Sequence, residues 1–319
     1  ALAFIASLTT FTSGVALAQA GYPNKPIKVV VPFPAGSTTD IIARVISEPL
    51  GKALGQSVVV ENKAGGGGVV GATETVRATP DGYSLGMATV STTAANPAIN
   101  PKNPYNPITD FTPIINIAAT PNVIAVHPSF PARNYKDFVA ELKKNPGKYS
   151  YASSGTGGIG HLQTELWKSL AGVFITHIPY TGAGPALRDL VAGQVDMMFD
   201  GLGSSAAHIK GGRIKALMVS GAKRNAAFPD VPCAAELGLP DYTVTTWYGL
   251  WAPKGTPADA QARIIEEVRK AAASDELKAI WGGQGAEFPA MSQQQFAAFI
   301  NAEIKRWATV VKASGAKLD

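Results

Sequence analysis

The sequence is poor in the residues that build disulfide-linked or metal-bound scaffolds. Its 319 residues include one cysteine, Cys233, and four histidines. A disulfide needs two cysteines and a zinc site needs three or four converging ligands, so we expect no disulfide, no metal and no cofactor. Cys233 is expected to be a small, half-buried loop residue. Clusters of basic residues are missing too, since the lysines and arginines are scattered along the chain. This distribution argues against a nucleic-acid partner, while the net charge of +5 favours anionic solutes.

Long apolar runs are also missing after the first residues of the sequence, so no membrane-spanning helix is expected there. The first segment, Ala1–Ala20, is uncharged and ends in Ala18-Gln19-Ala20, while polar residues between Thr9 and Gly14 interrupt its apolar run. This pattern is typical of the apolar and cleavage regions of a secretory signal whose basic start is missing. We therefore interpret residues 1–20 as a signal peptide and expect the mature chain in the periplasm.

From Ile27 to Ser220, apolar strand-like runs alternate with amphipathic helix-like segments. Several runs are apolar at almost every position, as expected for strands that are covered on both faces. The alternation predicts an α/β fold, and the length suffices for two domains with cores of their own. The predicted strands are Ile27–Val31, Val58–Glu61, Ser84–Ala88, Tyr149–Ser153, Ile175–Tyr180, Met197–Asp200 and Lys215–Ser220. The predicted helices are Thr39–Leu54, Tyr135–Lys144, Gly160–Ala171, Ala183–Ala192 and Ser204–Lys210.

Two proline-rich segments interrupt the alternation, and each is followed by strand-like runs. The first, Asn96–Pro113, carries five prolines, which excludes a regular helix or a central strand. The second is Phe228–Tyr242. We interpret them as two crossings between a pair of lobes, with the C-terminus completing the first lobe. Lobe 1 is predicted to comprise residues 21–123 and 226–319, and lobe 2 residues 124–225. The strand-like runs after the breaks are Ile114–Ala118, Val123–Val126 and Thr243–Trp251.

Two stretches share one plan and are the most informative part of the sequence. Lys28–Arg44 (KVVVPFPAGSTTDIIAR) and Tyr149–Leu162 (YSYASSGTGGIGHL) each consist of an apolar strand, a turn of small residues and the start of an amphipathic helix. Such a turn leaves free backbone N–H groups at a helix N-terminus, where the helix dipole also favours negative charge. Two such turns predict a ligand held at both ends, an anion with two poles.

An enzyme is the alternative from another class. The hexapeptide Gly155–Gly160 (GTGGIG) has the spacing of a dinucleotide-binding turn, but the next predicted strand, Ile175–Tyr180, is not followed by the acid that would hold a ribose. A hydrolase could use Ser153, Ser154 and His161, which are close in sequence, but the G-x-S-x-G nucleophile motif is missing. The glycines still allow a backbone turn to approach a ligand closely.

Single side chains near the two turns remain open to structural or ligand-binding roles. His161 could cap its own loop or donate to a ligand. Asp40, in a first helical turn, could pair with Arg44 or face the ligand. Asp200 ends an apolar strand, where it could accept from an ammonium, a hydroxyl or a ring N–H of a ligand. The glycine-rich segment Ala64–Gly71 is interpreted as a flexible turn before a helix, with a role near the entrance of a cleft as the alternative.

Taken together, these segments resemble the tripartite tricarboxylate transporter substrate-binding proteins, also called Bug proteins. No single segment is decisive, but the set covers nearly all of the mature chain in the order of the family. The matching segments are Tyr22–Arg44, Val58–Gly71, Ala78–Leu85, Tyr151–Leu162, Ile178–Asp200, Ile214–Pro232 and Trp247–Pro257.

The resemblance implies a non-catalytic receptor with the Venus flytrap fold, in which two doubly wound α/β lobes are joined by a two-stranded hinge. Such a receptor is a monomer that closes on a small organic carboxylate and delivers it to a membrane permease. Relatives often have two glycines where this chain has Gly36-Ser37, so the identity of the ligand should not be copied from any relative. A dicarboxylate, an acidic amino acid or an aromatic acid would each fit the two turns. The implied ligand-binding residues are Phe33, Pro34, Ala35, Gly36, Ser37, Thr38, Asp40, Ser91, Thr92, Ser153, Ser154, Gly155, Thr156, Gly157, Gly158, His161 and Asp200.

Overall fold

The computed structural model of the protein describes residues 21–240 and 242–314. The predicted signal peptide, Ala1–Ala20, lies outside the described residues and stays a prediction. Within the described ranges, no helix combines the length and the apolar character needed to cross a bilayer.

The first half of a curled, mixed sheet is built around β1 (Ile27–Val31), which pairs in parallel with β2 (Val58–Asn62) and β3 (Ser84–Thr89). Strand β9 (Thr245–Pro253) runs antiparallel between β3 and the long strand β4 (Phe111–Val126). The apolar run that predicted β1 is almost fully buried, because helices and loops cover both faces. The helices of this half are α1 (Thr38–Leu54), α2 (Val69–Arg77), α3 (Asn96–Ile99), α8 (Ala258–Ala273), α9 (Asp275–Gly283) and α10 (Gln293–Ser314).

The second half of the sheet begins on the last residues of β4. There β4 lies between two antiparallel neighbours, β7 (Met197–Gly201) and β8 (Lys215–Val219). Strand β5 (Ser150–Ser153) pairs in parallel with β7 and with β6 (Thr176–Pro179). The helices of this half are α4 (Tyr135–Lys144), α5 (Ile159–Ala171), α6 (Ala183–Val191) and α7 (Leu202–Lys210). Each half with its helices forms one lobe, which confirms the predicted two-lobed α/β fold. The exact lobe boundaries stay a prediction.

The lobes are joined where β4 passes from one half of the sheet to the other. Asn122 is buried at this point, and its amide donates to the carbonyl of Val244 and to Oγ1 of Thr246 at 3.2 and 3.0 Å. The backbone N–H of Asn122 donates to Oγ of Ser220, just after β8. The outgoing and the returning strand are therefore tied to each other at the hinge.

The proline-rich segment Asn96–Pro113 was expected to contain neither a regular helix nor a central strand, and to cross between the lobes. It begins with the four-residue helix α3 and ends in the first residues of β4. Phe111 and Pro113 can pair there because β4 is the outer strand of the first half-sheet, and a register shift follows Pro113. The first passage from one half of the sheet to the other lies further along β4, near Asn122, so this segment precedes it. The second proline-rich segment, Phe228–Tyr242, does lie in the connection from β8 to β9.

The other predicted strands and helices are present, with ends that differ by up to two residues. Two differences are larger. The runs Ile114–Ala118 and Val123–Val126, which were predicted separately, belong to the single strand β4. Helix α2 follows the glycine-rich segment, and the sequence analysis gave no bounds for it. Helix α1 begins where expected because Oγ of Ser37 accepts from the N–H of Asp40, and it ends at Gly55 in the left-handed conformation.

A buried carboxylate attaches the C-terminal helix to the hinge strand. Glu303 of α10 is 6% exposed and accepts from the indole N–H groups of Trp247 in β9, at 3.1 Å, and of Trp307, at 3.2 Å. Arg306 donates to its other oxygen. Because the buried indoles need an acceptor, Glu303 stabilises the return of the chain to the first lobe.

Replacing Glu303 with leucine should leave two buried indole N–H groups without an acceptor and lower the free energy of unfolding by about 2–5 kcal/mol. Glu303→Gln keeps a carbonyl acceptor and should cost clearly less. Urea unfolding followed by tryptophan fluorescence measures both variants. Equal losses would show that the indole hydrogen bonds do not stabilise the fold.

Candidate functional site

The N-termini of four helices, one from the first lobe and three from the second, meet between the lobes around a small cavity. This inner chamber has a volume of about 50 Å³. Helix α1 belongs to the first lobe, and helices α5, α6 and α7 belong to the second. The residues that line the chamber are Phe33, Ser37, Thr38, Thr39, Thr89, Ser91, Asn122, Ser154, Ile159, Ala183, Asp200, Gly201, Thr246 and Tyr248.

The inner chamber is polar without being cationic. Among the described residues that line it, none is a lysine, an arginine or a histidine. Its hydrogen-bonding groups are hydroxyls, one amide side chain, one carboxyl and the backbone of the first helical turns. The first N–H groups of a helix have no partner within the helix and carry the positive end of its dipole. The chamber is therefore suited to an anionic group bound through neutral donors.

We call the turn within Lys28–Arg44 the first ligand loop, after its predicted role, and Asp40 holds its backbone in place. The carboxylate is 5% exposed and accepts from the backbone N–H of Gly36 at 2.9 Å, from Nε of Arg44 at 3.0 Å and from Nδ2 of Asn62 at 2.9 Å. Burial alone would raise the pKa of Asp40, but the hydrogen bonds from Arg44, Gly36 and Asn62 outweigh it and lower this pKa. Both carboxylate oxygens thus have partners within the first lobe.

We call the turn within Tyr149–Leu162 the second ligand loop, and two stacked histidines order its backbone. Nδ1 of His161 accepts from the N–H of Gly157 at 3.2 Å, and the rings of His161 and His177 stack with centroids 4.3 Å apart. Nε2 of His177 is 2.6 Å from Oγ of Ser153, which also accepts from the N–H of Gly155. These contacts support a loop-ordering role for His161.

Direct contacts join the lobes across the cleft. Oγ1 of Thr38, in the first turn of α1, accepts from the backbone N–H of Ser204 at 3.0 Å and lies 2.8 Å from its Oγ. The backbone N–H of Ile159 donates to Oγ of Ser91 at 3.0 Å. The approach is close enough that a Cβ at Gly203 would lie 2.7 Å from Cγ2 of Thr38. A side chain at Gly203 would therefore oppose this arrangement of the lobes.

Asp200 lies at the end of β7 on the wall of the inner chamber. Its Oδ2 accepts from the hydroxyls of Ser204 at 2.6 Å and Ser205 at 2.8 Å. Burial raises the pKa of Asp200, and the hydrogen bonds from the two serines oppose that shift without cancelling it. Tyr248 of β9 lines the chamber beside it, and burial raises the pKa of this phenol.

A second, larger cavity of about 690 Å³ opens at the mouth of the cleft, and we call it the outer chamber. It includes the glycine-rich segment, whose position at the cleft mouth agrees with the alternative interpretation from the sequence. The residues that line it are Phe33, Pro34, Ala64, Gly65, Gly66, Gly67, Gly68, Val69, Asn100, Ser154, Gly155, Thr156, Pro179, Tyr180 and Thr181.

The predicted ligand-binding residues divide into two groups, and their contact with a ligand stays a prediction. One group lines a chamber: Phe33, Pro34, Ser37, Thr38, Ser91, Ser154, Gly155, Thr156 and Asp200. The other group lines neither chamber and builds the surrounding loops: Ala35, Gly36, Asp40, Thr92, Ser153, Gly157, Gly158 and His161. Thr92, for example, is fully buried and bonds to Thr89.

Sequence reasoning missed the hinge residues that line the inner chamber. Asn122, Thr246 and Tyr248 come from β4 and β9, which are distant in sequence and adjacent only in the folded sheet. Ala183 and Gly201 come shortly after the predicted strands Ile175–Tyr180 and Met197–Asp200, so the rule that strand ends face the cleft could have identified them. Among residues 21–240 and 242–314, no group of three or more potential metal ligands is assembled.

A ligand-sized cleft between two α/β lobes joined by paired strands defines the fold of periplasmic binding proteins. The chain belongs to the tripartite tricarboxylate transporter family receptors (TctC), which match residues 42–316. This confirms the resemblance found in the sequence. The family consists of solute-binding receptors and not of enzymes, so the dinucleotide and hydrolase alternatives are not supported.

Similar proteins cover almost the whole chain. Protein BugT of Bordetella pertussis is 36% identical over 310 residues, which is 96% of this chain and 95% of BugT. A Rhodopseudomonas palustris protein solved with adipate is 36% identical, with a TM-score of 0.90 over 93% of this chain and 100% of its own. MatC from the same organism, solved with malate, is 34% identical, with a TM-score of 0.86 over 91% of this chain and 100% of its own.

Asp40 should make the protein more sensitive to acid. A carboxyl whose pKa is lowered on folding stabilises the protein above its unfolded pKa of about 3.9, and this contribution is lost as the pH falls below that value. Asp40→Asn should therefore lower the free energy of unfolding by about 1–2 kcal/mol at neutral pH and flatten its fall in acid.

Denaturant unfolding between acid and neutral pH measures the effect of Asp40→Asn. Glu48→Gln is the matched control in the same helix, because its exposed pair with Lys52 should contribute nothing measurable. The same pH dependence in wild type and Asp40→Asn would contradict the role of this carboxylate.

Proposed function

We propose that the protein is a periplasmic receptor that binds a small organic carboxylate between its lobes and delivers it, as a monomer, to a tripartite tricarboxylate-type membrane permease. The observation that supports this most is the inner chamber, which is lined by helix N-termini from both lobes and by hydroxyls. An anion there would gain hydrogen bonds from backbone N–H groups without needing a guanidinium partner.

The same geometry couples binding to movement of the lobes. Thr38 and Ser37 belong to one lobe, while Ile159, Ala183 and Gly201 belong to the other. A ligand that contacts both sets has more partners when the lobes are together than when they are apart. Its differential affinity therefore favours the closed arrangement, which the permease would recognise.

The carboxylate class is supported by solved relatives, since one carries malate and another adipate. Within that class, dicarboxylates, acidic amino acids and aromatic acids remain candidates. The residues proposed to contact the ligand are those of the two loops together with Ser91 and Asp200. Asp200 would accept a hydrogen bond from a hydroxyl or ammonium group of the ligand, next to the serines that already donate to it.

Saturable binding of a small carboxylate should raise the apparent stability of the protein by RT ln(1 + [L]/Kd) and should reduce its radius of gyration. Thermal shifts over a panel of organic acids, followed by small-angle X-ray scattering with the best of them, measure both effects. Stabilisation by an acid without compaction, or no stabilisation by any acid in the panel, would contradict the proposal.

Gly203→Ala should weaken the binding of that acid by about tenfold or more, because the added methyl group meets Thr38 only when the lobes close. Gly282→Ala is the matched control, since it also adds a methyl group in a helix and has no atom within 4 Å. Isothermal titration of both variants measures the difference. Similar affinities of the two variants would contradict closure around the ligand.

A further inference from the structure

The glycine-rich segment 64–71 lies between the lobes at the mouth of the cleft, and the proposed function assigns it no role. Gly67 has a positive φ of 63°, and its carbonyl accepts from Nδ2 of Asn96 at 2.8 Å within the first lobe. A Cβ at Gly67 would lie 3.3 Å from the carbonyl oxygen of Thr156 in the other lobe. The segment is therefore anchored on one lobe and closes against the ligand loop of the other.

The inner and outer chambers share two walls. Phe33 of the first lobe and Ser154 of the second line both of them. The tip of the Phe33 ring also reaches the glycine-rich segment, because a Cβ at Gly68 would lie 3.2 Å from its Cζ. A bound molecule that begins in the inner chamber and passes between Phe33 and Ser154 would enter the outer chamber beneath this segment.

The two chambers differ greatly in size. About 50 Å³ holds only a few water-sized groups, enough for one carboxylate and its nearest atoms. The outer chamber, with about 690 Å³, is in the range of sites that enclose whole small molecules. Of the described residues that line the outer chamber, none is charged, and Phe33, Pro34, Pro179 and Tyr180 give it apolar walls.

We propose that the outer chamber is a second subsite that selects elongated carboxylic acids, with one carboxylate in the inner chamber, a neutral aliphatic chain in the outer one and the second carboxylate of a diacid at its open mouth. This inference rests on the proposed receptor function. The body of the acid would pass Phe33 and lie against Tyr180 and Thr181, covered by the glycine-rich segment. Burial of its methylene groups would then add to the affinity that the carboxylate supplies.

The test compares two diacids that differ in length, succinate and suberate, by isothermal titration. Wild-type protein should bind suberate at least about tenfold more tightly than succinate, because only suberate reaches the outer chamber. Thr181→Phe fills that chamber from an exposed position. It should weaken suberate by about tenfold and change succinate by less than about twofold.

Ala222→Phe is the matched control, since Ala222 is exposed and lines a different cavity behind the hinge. It should leave the affinity for both acids unchanged, and a thermal melt checks that each variant is folded. Tighter binding of succinate than suberate, or equal losses of both in Thr181→Phe, would overturn the subsite. Binding of neither acid, nor of any acid in the wider panel, would instead contradict the receptor function itself.

Discussion

The structure depends on the opposition of helix N-termini across one pair of hinge strands. Because the paired strands β4 and β9 join the lobes at the hinge, the first turn of α1 faces the first turns of α5 and α7. The positive ends of these helices would repel each other across a low-dielectric gap, and an anion between them removes that cost. The proposed site would therefore hold an acid without a cationic side chain in its lining.

The polar side chains around the cleft fall into two roles, and charge alone does not separate them. Asp40 and His161 both sit in the ligand loops, yet each is bonded to the backbone of its own loop. They order the N–H groups without lining either chamber. Asp200, in contrast, lines the inner chamber. Burial raises the pKa of Asp200, whereas hydrogen bonds lower the pKa of Asp40. Neutral donors and a single buried carboxyl thus set the polarity of the site.

Much of the fold follows from local sequence, because apolar strands and glycine-containing turns need no distant partner to be identified. β1, α1 and the two ligand loops are of this kind, as is the i,i+4 pair of Asp40 with Arg44. The partner Asn62 could not be identified, since its contact with Asp40 requires the pairing of β1 with β2. The contribution of Asn122 and Tyr248 to the chamber lining was missed for the same reason. Pro113 lies in an outer strand, as the exclusion of a central strand allows, but only the sheet order shows that β4 begins before it.

The central claim is that a carboxylate draws the two loops together as the lobes close. Spin labels at Lys52 in the first lobe and Lys143 in the second, both exposed, report the distance between the lobes in a Cys233→Ala background. Pulsed electron paramagnetic resonance should show a broad or longer distance distribution without ligand. With the carboxylate that gives the largest thermal shift, a single shorter distance should appear with the same concentration dependence as binding. An unchanged distribution at saturating carboxylate would contradict the account.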